Sequence, residues 1–390
     1  MERPPLDAPA SEWLVYADAR QRAGDPRGEL VVLSHAVSAG TVTSQRRDRF
    51  VAKHAAALLG DAVAGRLASY RLGWRHCVLE SVDVRIEPGD DGAALVAAVL
   101  GSPAADELRE LAVVGVPTEY RAVELASAIA ALAGALPPCC RSLALVDELA
   151  ASVDLLVTTG HEPPDNLVTL GSLDTVWQLP LEHLRIEVAD AHALDLGSIR
   201  APAMRSFTLR SLRLGVAPHL LRALERASWP DLESFELRLV EDFTARIPID
   251  DNAYIPTYST SERHEDSYHE AEEGRNEAPV DWGQLEGLLR ALHHVPLRRL
   301  ALTSFDTWRT LFDVLARVGC PPTLRELDVS HARIDRECAA WMCEHAELFA
   351  NLERLVVERV PLRERRALAS LAPEIVHSVG RGATYRHVVT

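Results

Sequence analysis

The residues able to do chemistry in this 390-residue chain are mainly carboxylates, guanidinium groups and imidazoles, and their spacing decides their use. His264-Glu265 and His269-Glu270 sit close together, but the two histidines are five residues apart. A zinc-protease helix needs four, so that both imidazoles leave one helical face. Asp250, Asp251 and Asn252 do not complete a calcium loop. The six cysteines (Cys77, Cys139, Cys140, Cys320, Cys338 and Cys343) form no CxxC and no zinc-finger spacing with histidine. Buried free thiols in a reducing cytoplasm are their expected state. The sequence contains no GxxxxGK[ST], no GxGxxG after a strand and no GxSxG. It therefore predicts no catalytic residue, no metal and no cofactor, and the chain is expected not to be an enzyme.

Charge narrows the partners. Against 57 Asp+Glu stand 41 Lys+Arg, a net charge of −16. Phosphate neutralisation needs a basic surface, so nucleic acid is excluded as a general ligand. Lys53 is the only lysine; every other basic residue is arginine. Arginine pairs bidentately with carboxylates and suits protein contacts, although GC-rich codon usage gives the same bias. No run of 18 apolar residues occurs, so no membrane span is expected. Met1 to Ala10 holds three prolines and no apolar stretch, which predicts no secretory signal.

The elements that must position the charges are set by a repeat: apolar, two residues, apolar, one residue, apolar. It runs through Leu79-Val82-Val84, Leu108-Leu111-Val113, Cys140-Leu143-Leu145, Leu181-Leu184-Ile186 and Leu209-Leu212-Leu214. It continues in Leu232-Phe235-Leu237, Leu297-Leu300-Leu302, Leu324-Leu327-Val329 and Leu352-Leu355-Val357. Start-to-start spacings are 29, 32, 41, 28, 23, 65, 27 and 28 residues. Near Leu209 a second register, Met204-Phe207-Leu209, fits equally and exchanges the 28 with the 23. A fixed period marks stacked units that bury their apolar faces only against one another. Positions two apart predict strands with one buried face, and parallel pairing then demands long crossovers. Helical stripes supply these at Thr118 to Ala135, Pro218 to Ala227, Asp281 to His293, Thr307 to Val318 and Asp335 to Leu348.

Segments such as Leu324-Arg-Glu-Leu-Asp-Val-Ser330 and Leu352-Glu-Arg-Leu-Val-Val357 resemble leucine-rich repeats of the helical, ribonuclease-inhibitor-like kind, over roughly residues 72–390. The asparagine that usually follows the third apolar position is mostly missing; Ser330 or His331 stands near it in one unit. Upstream, Tyr16-Ala17-Asp18 with Gly24-Asp25-Pro26-Arg27-Gly28-Glu29 resembles the small repeat-companion domain of some bacterial proteins. Asp25, Arg27 and Glu29 read first as turn and capping residues. The resemblances imply a bacterial, cytoplasmic α/β solenoid: a horseshoe with a parallel sheet on its concave face and helices on its convex face. They divide the chain into an all-helical domain at 1–70 and a repeat domain at 71–390.

The 65-residue spacing leaves an insertion at about 242–278. From Glu241 to Ala278 eleven acids oppose Arg246, Arg263 and Arg275, a net of −8. Asp250, Asp251, Glu262, Glu265, Asp266 and Glu270 make it either a solvated loop or an acidic flap beside the concave face.

Residues between the apolar positions face away from the core. In the middle units these include His183, Arg185, Glu187, Ser211, Arg213, Glu236 and Arg238, followed by Arg299. Opposite charges on neighbouring strands either neutralise each other or recognise another protein. The expected function is a protein-binding scaffold using this face, with a partner that is another protein, basic if the flap engages it. The alternative is an acidic inhibitor or immunity-type regulator that occludes a basic enzyme or toxin.

Overall fold

The computed structural model describes residues 2–118, 121–148, 168–189, 194–211, 218–239, 282–303, 308–330, 334, 336–358 and 368–378. The acidic flap residues Asp250, Asp251, Glu262, Glu265, Asp266 and Glu270 lie outside them, as does Arg213.

Five helices open the chain: α1 (Ala10–Arg22), α2 (Pro26–Ser38), α3 (Ser44–Lys53), α4 (Ala55–Leu59) and α5 (Asp61–Ala64). His54 separates α3 from α4. The Gly24–Glu29 motif is fully used in joining α1 to α2. Gly24 adopts φ 72°, a left-handed stop that glycine takes without strain. The Asp25 carboxylate accepts the Arg27 N–H at 3.0 Å and caps α2, whose first residue is Pro26. At Gly28 the helices approach so closely that a Cβ would stand 2.6 Å from the Ala17 carbonyl oxygen. Gln21 donates to Glu29 at 2.7 Å across the same junction.

Thirteen strands follow among the described residues: β1 (Tyr70–Arg75), β2 (Val78–Ile86), β3 (Glu110–Gly115), β4 (Val123–Glu124), β5 (Ser142–Asp147), β6 (Val168–Thr169), β7 (His183–Val188), β8 (Ser206–Ser211), β9 (Ser234–Leu239), β10 (Arg299–Thr303), β11 (Glu326–Val329), β12 (Arg354–Glu358) and β13 (Glu374–Ser378). Eleven form one sheet in the order β1-β2-β3-β5-β7-β8-β9-β10-β11-β12-β13. All its pairings are parallel except β1 with β2, and β4 with β6 makes a separate parallel pair. The sheet does not close on itself. This is a long, open, mostly parallel α/β sheet.

The register follows the apolar repeat. Val82, Leu111, Leu143, Leu184, Phe207, Phe235, Leu300, Leu327 and Leu355 are successive cross-strand neighbours. Each is at most 2% exposed, which places one face of every strand in the core. At Leu209 the Met204-Phe207-Leu209 register is the one adopted. Ser211, expected on the outer face, is therefore core-side and buried, and Arg210 takes the outward position instead. Within this sheet two strands lie beyond the nine expected, and β4 and β6 add a further unpredicted pair. β1 begins the sheet as an antiparallel hairpin partner of β2, turning at His76 with φ 57°. β13 ends it, paired to β12.

A second regularity sits at the strand entrances. The carbonyls of Arg109, Arg141, Glu182, Arg205, Glu233, Arg298 and Arg325 each accept two consecutive N–H groups from the next strand's entrance. Arg298 N and Arg299 N, for example, donate to Glu233 O at 2.7 and 3.0 Å. Shared acceptance satisfies the backbone where a turn would otherwise orphan its donors.

Behind the sheet lie α6 (Gly92–Leu100) and α7 (Ala126–Leu132), then helices at Pro218–Glu225, Trp282–Leu292, Trp308–Val318 and Arg336–Glu344. Four of the five predicted crossover helices occupy their expected places. The fifth, expected from Thr118 to Ala135, shrinks to α7 because β4 takes Val123 and Glu124. One continuous core runs from Leu6, Trp13 and Leu30 through every strand to Leu368 and Ala372. The α1–α5 segment and the sheet therefore share that core.

Candidate recognition face

The sheet's second face bears the side chains that alternate with the core residues, and the register arranges them in three rows. The first runs Ser81, Glu110, Ser142, His183, Ser206, Ser234, Arg299, Glu326, Arg354 and Glu374. The second runs Asp83, Ala112, Ala144, Arg185, Thr208, Glu236, Ala301, Asp328, Val356 and Val376. The third begins Arg85, Val114, Val146, Glu187, Arg210 and Arg238.

From β7 to β12 the charged side chains form one connected lattice. Glu236 is its hub, with a side chain only 5% exposed. Its Oε1 accepts from Arg210 Nε and Arg238 Nε at 2.8 Å each, and its Oε2 accepts from Arg299 Nη1 at 3.2 Å. Arg210 also donates to Glu187 at 2.8 Å, and Arg185 stands 3.7 Å from Glu187. On the other side Arg299 donates to Glu326 at 2.9 Å and to Asp328 at 3.4 Å, and Arg354 donates to Glu326 at 3.1 Å. Burial alone would push the Glu236 carboxyl up, but Arg210, Arg238 and Arg299 outweigh it and hold it at about 2. Desolvation likewise opposes the charged form of Arg299, yet Glu236, Glu326 and Asp328 raise its pKa above the ordinary value.

Of the residues predicted from sequence, Glu187, Glu236, Arg238 and Arg299 meet in this lattice, with Glu236 at its centre and Arg185 at its margin. His183 does not join it. Arg210, Glu326, Asp328 and Arg354 complete it; Arg210 is concealed in the sequence by the two competing registers at Leu209. A further signal is the charged residue at every strand entrance, from Glu80 and Arg109 to Arg325 and Glu353. Some of these pair along the edge, as Arg205 does with Glu233 at 3.1 Å and Arg325 with Glu353 at 3.5 Å.

From β2 to β8 the face is different. A depression of about 450 Å³ is floored by Ala112, Ser142 and Ala144 and flanked by Asp83, Glu110, His183 and Arg185. Ser206 and Thr208 close its far side. Adjoining it, and sharing Ala144, is a small apolar cluster of Val114, Ala144 and Val146 separate from the core. Beside that cluster Arg85 grips Glu148 through two hydrogen bonds of 2.6 and 2.7 Å. These bonds draw the Glu148 carboxyl below its usual range.

Three thiols are held in their neutral form by burial: Cys77 is pushed up to about 11, and Cys140 and Cys320 to about 12. No group of three or more metal-ligating side chains occurs among the described residues, and none of their helices is long and apolar enough to cross a membrane.

No protein-family model and no curated protein matches the chain. Among solved structures, it is similar to a structural-genomics protein from Bacteroides fragilis at 12% identity and a TM-score of 0.49. The similarity covers 78% of this chain and 76% of that one.

Proposed function

We propose that the chain is a non-catalytic, cytoplasmic protein-binding scaffold: a leucine-rich-repeat solenoid that recognises another protein through the concave face of its sheet. The observation that carries this reading is the Arg–Glu lattice from Glu187 to Arg354, beside an open depression on the same face. Side chains fixed by mutual hydrogen bonds lose little freedom on association, and a rigid charged surface orients a partner. An extended face of parallel strands is how solenoids bind.

The test is a block of the face. Thr208→Trp lies on the second row and fills the depression's edge; Leu14→Trp lies on α1, where Leu14 is 43% exposed. Capture of partner from a lysate of the source cell by the Thr208→Trp protein is expected to fall at least tenfold, with Leu14→Trp behaving as wild type. Equal capture by both variants contradicts the reading. The acidic-regulator alternative draws on the −8 charge of residues 241–278. Capture that falls with both added salt and deletion of residues 242–278 favours it.

A further inference from the structure

We infer that the depression between β2 and β8 is the contact point for a partner-protein segment that presents a basic side chain and, about 10 Å from it, a carboxylate. This deepens the scaffold reading and rests on it. Most charges on the face are already committed to one another, and the few that are not gather here.

In the three rows every charged side chain described from β9 to β13 has an opposite charge within 4 Å. Among the described residues, the side chains of Asp83, Glu110 and His183 have no hydrogen-bond or ion-pair partner, and all three line the depression. Asp83's cross-strand neighbour Arg71 turns away to Glu148, at 3.7 Å. Arg185 is half exposed and touches Glu187 only at 3.7 Å, so most of its donors are available to a ligand.

These side chains are ordered across the sheet by chemical kind. The carboxylates stand on β2 and β3, the imidazole and guanidinium on β7, with β5 between β3 and β7. Two strand spacings separate the acidic wall from the basic one, about 10 Å. The residues between are Ser142 and Ala144, too short to bridge the gap. The face thus presents a fixed charge dipole across an unfilled floor. Its complement is a basic group over Asp83 and Glu110 and a carboxylate over His183 and Arg185. A neutral or uniformly charged segment would leave one wall desolvated and unpaired, which is unfavourable.

The experiment places a photo-crosslinking amino acid at Ser206, on the rim, in the full chain. Crosslinks formed in the source cell are then sequenced. The expected result is one recurrent partner peptide that carries both a basic and an acidic residue. Its yield should fall at least tenfold in Asp83→Asn/Glu110→Gln and again in Arg185→Gln. Asp83→Arg/Glu110→Arg should regain it when the partner's basic residue is changed to glutamate. Thermal unfolding of each variant establishes that it is folded. A recurrent peptide lacking either charge, or a yield indifferent to Asp83→Asn/Glu110→Gln, overturns the inference. If Thr208→Trp still abolishes capture in that case, the scaffold reading stands without it. If crosslinks are absent and Thr208→Trp leaves capture intact, both fall.

Discussion

The two ends of the sheet's outer face are built from the same repeat yet use their charges in opposite ways. From β7 to β12 guanidinium and carboxylate groups interlock, and Glu236 is shared by three arginines. From β2 to β7 the charges stand on opposite sides of a floor of serine and alanine, and Asp83, Glu110 and His183 have no side-chain partner among the described residues. The parallel ladder is the same in both stretches, so the difference lies in side-chain length at a few positions. Where the intervening strand offers Arg210, Glu236 or Arg299, the rows knit together. Where it offers Ser142 or Ala144, they cannot reach. Charge on this surface is therefore not one kind of feature: paired charge is fixed in place and frames the face, and unpaired charge is left to form new bonds with another molecule.

The sharpest way to break this contrast is to remove the hub. Glu236→Leu strands Arg210, Arg238 and Arg299 around an apolar side chain and is expected to cost about 3–5 kcal/mol in urea unfolding. Glu110→Leu at the other end is expected to stay within about 0.5 kcal/mol. Equal costs would erase the distinction.

Acid titrates the same contrast. Glu236 is held near 2 rather than at the ordinary 4.5. Its folded form binds its proton less readily than its unfolded form, so its contribution is fully present above 4.5. That contribution is lost as pH falls from 4.5 towards 2, and amounts to about 3 kcal/mol. Stability measured against pH should therefore fall more steeply in that window for wild type than for Glu236→Gln. Parallel profiles would contradict the hub assignment.

A smaller effect is expected at Arg85, in the bidentate pair of the open end. Arg85→Met should cost about 1 kcal/mol by thermal or urea unfolding, because both partners remain partly solvated. Smallest of all is Asp83→Asn/Glu110→Gln, expected to leave stability within about 0.5 kcal/mol of wild type. A loss of about 2 kcal/mol there would mean these carboxylates serve the fold.

The elements legible in the sequence are those whose signal is apolar and periodic. The strand core positions follow directly from Leu-x-x-Leu-x-Leu, because burying one face of a strand leaves no other spacing. β13 escapes that pattern because Ala372 and His377 stand where leucines would, and β1 because Gly73 interrupts Tyr70 to Arg75. Outward charges are legible as a class but not as pairs. Glu187, Glu236, Arg238 and Arg299 can be placed on the face, whereas their bonding depends on the register near Leu209, which two apolar triplets fit equally. The depression has no sequence signal of its own. It arises because Ala112, Ser142 and Ala144, ordinary residues one by one, become neighbours only when β3 and β5 pair.

Carboxyl footprinting with carbodiimide and an amine, on the free chain and on the chain with its captured partner, tests the central claim most directly. Labelling of Asp83 and Glu110 in the free chain and their protection in the complex is the predicted result, with Glu187 and Glu236 resistant in both. A complex that leaves Asp83 and Glu110 as reactive as before, or a free chain in which Glu236 labels as fast as Glu110, would contradict it.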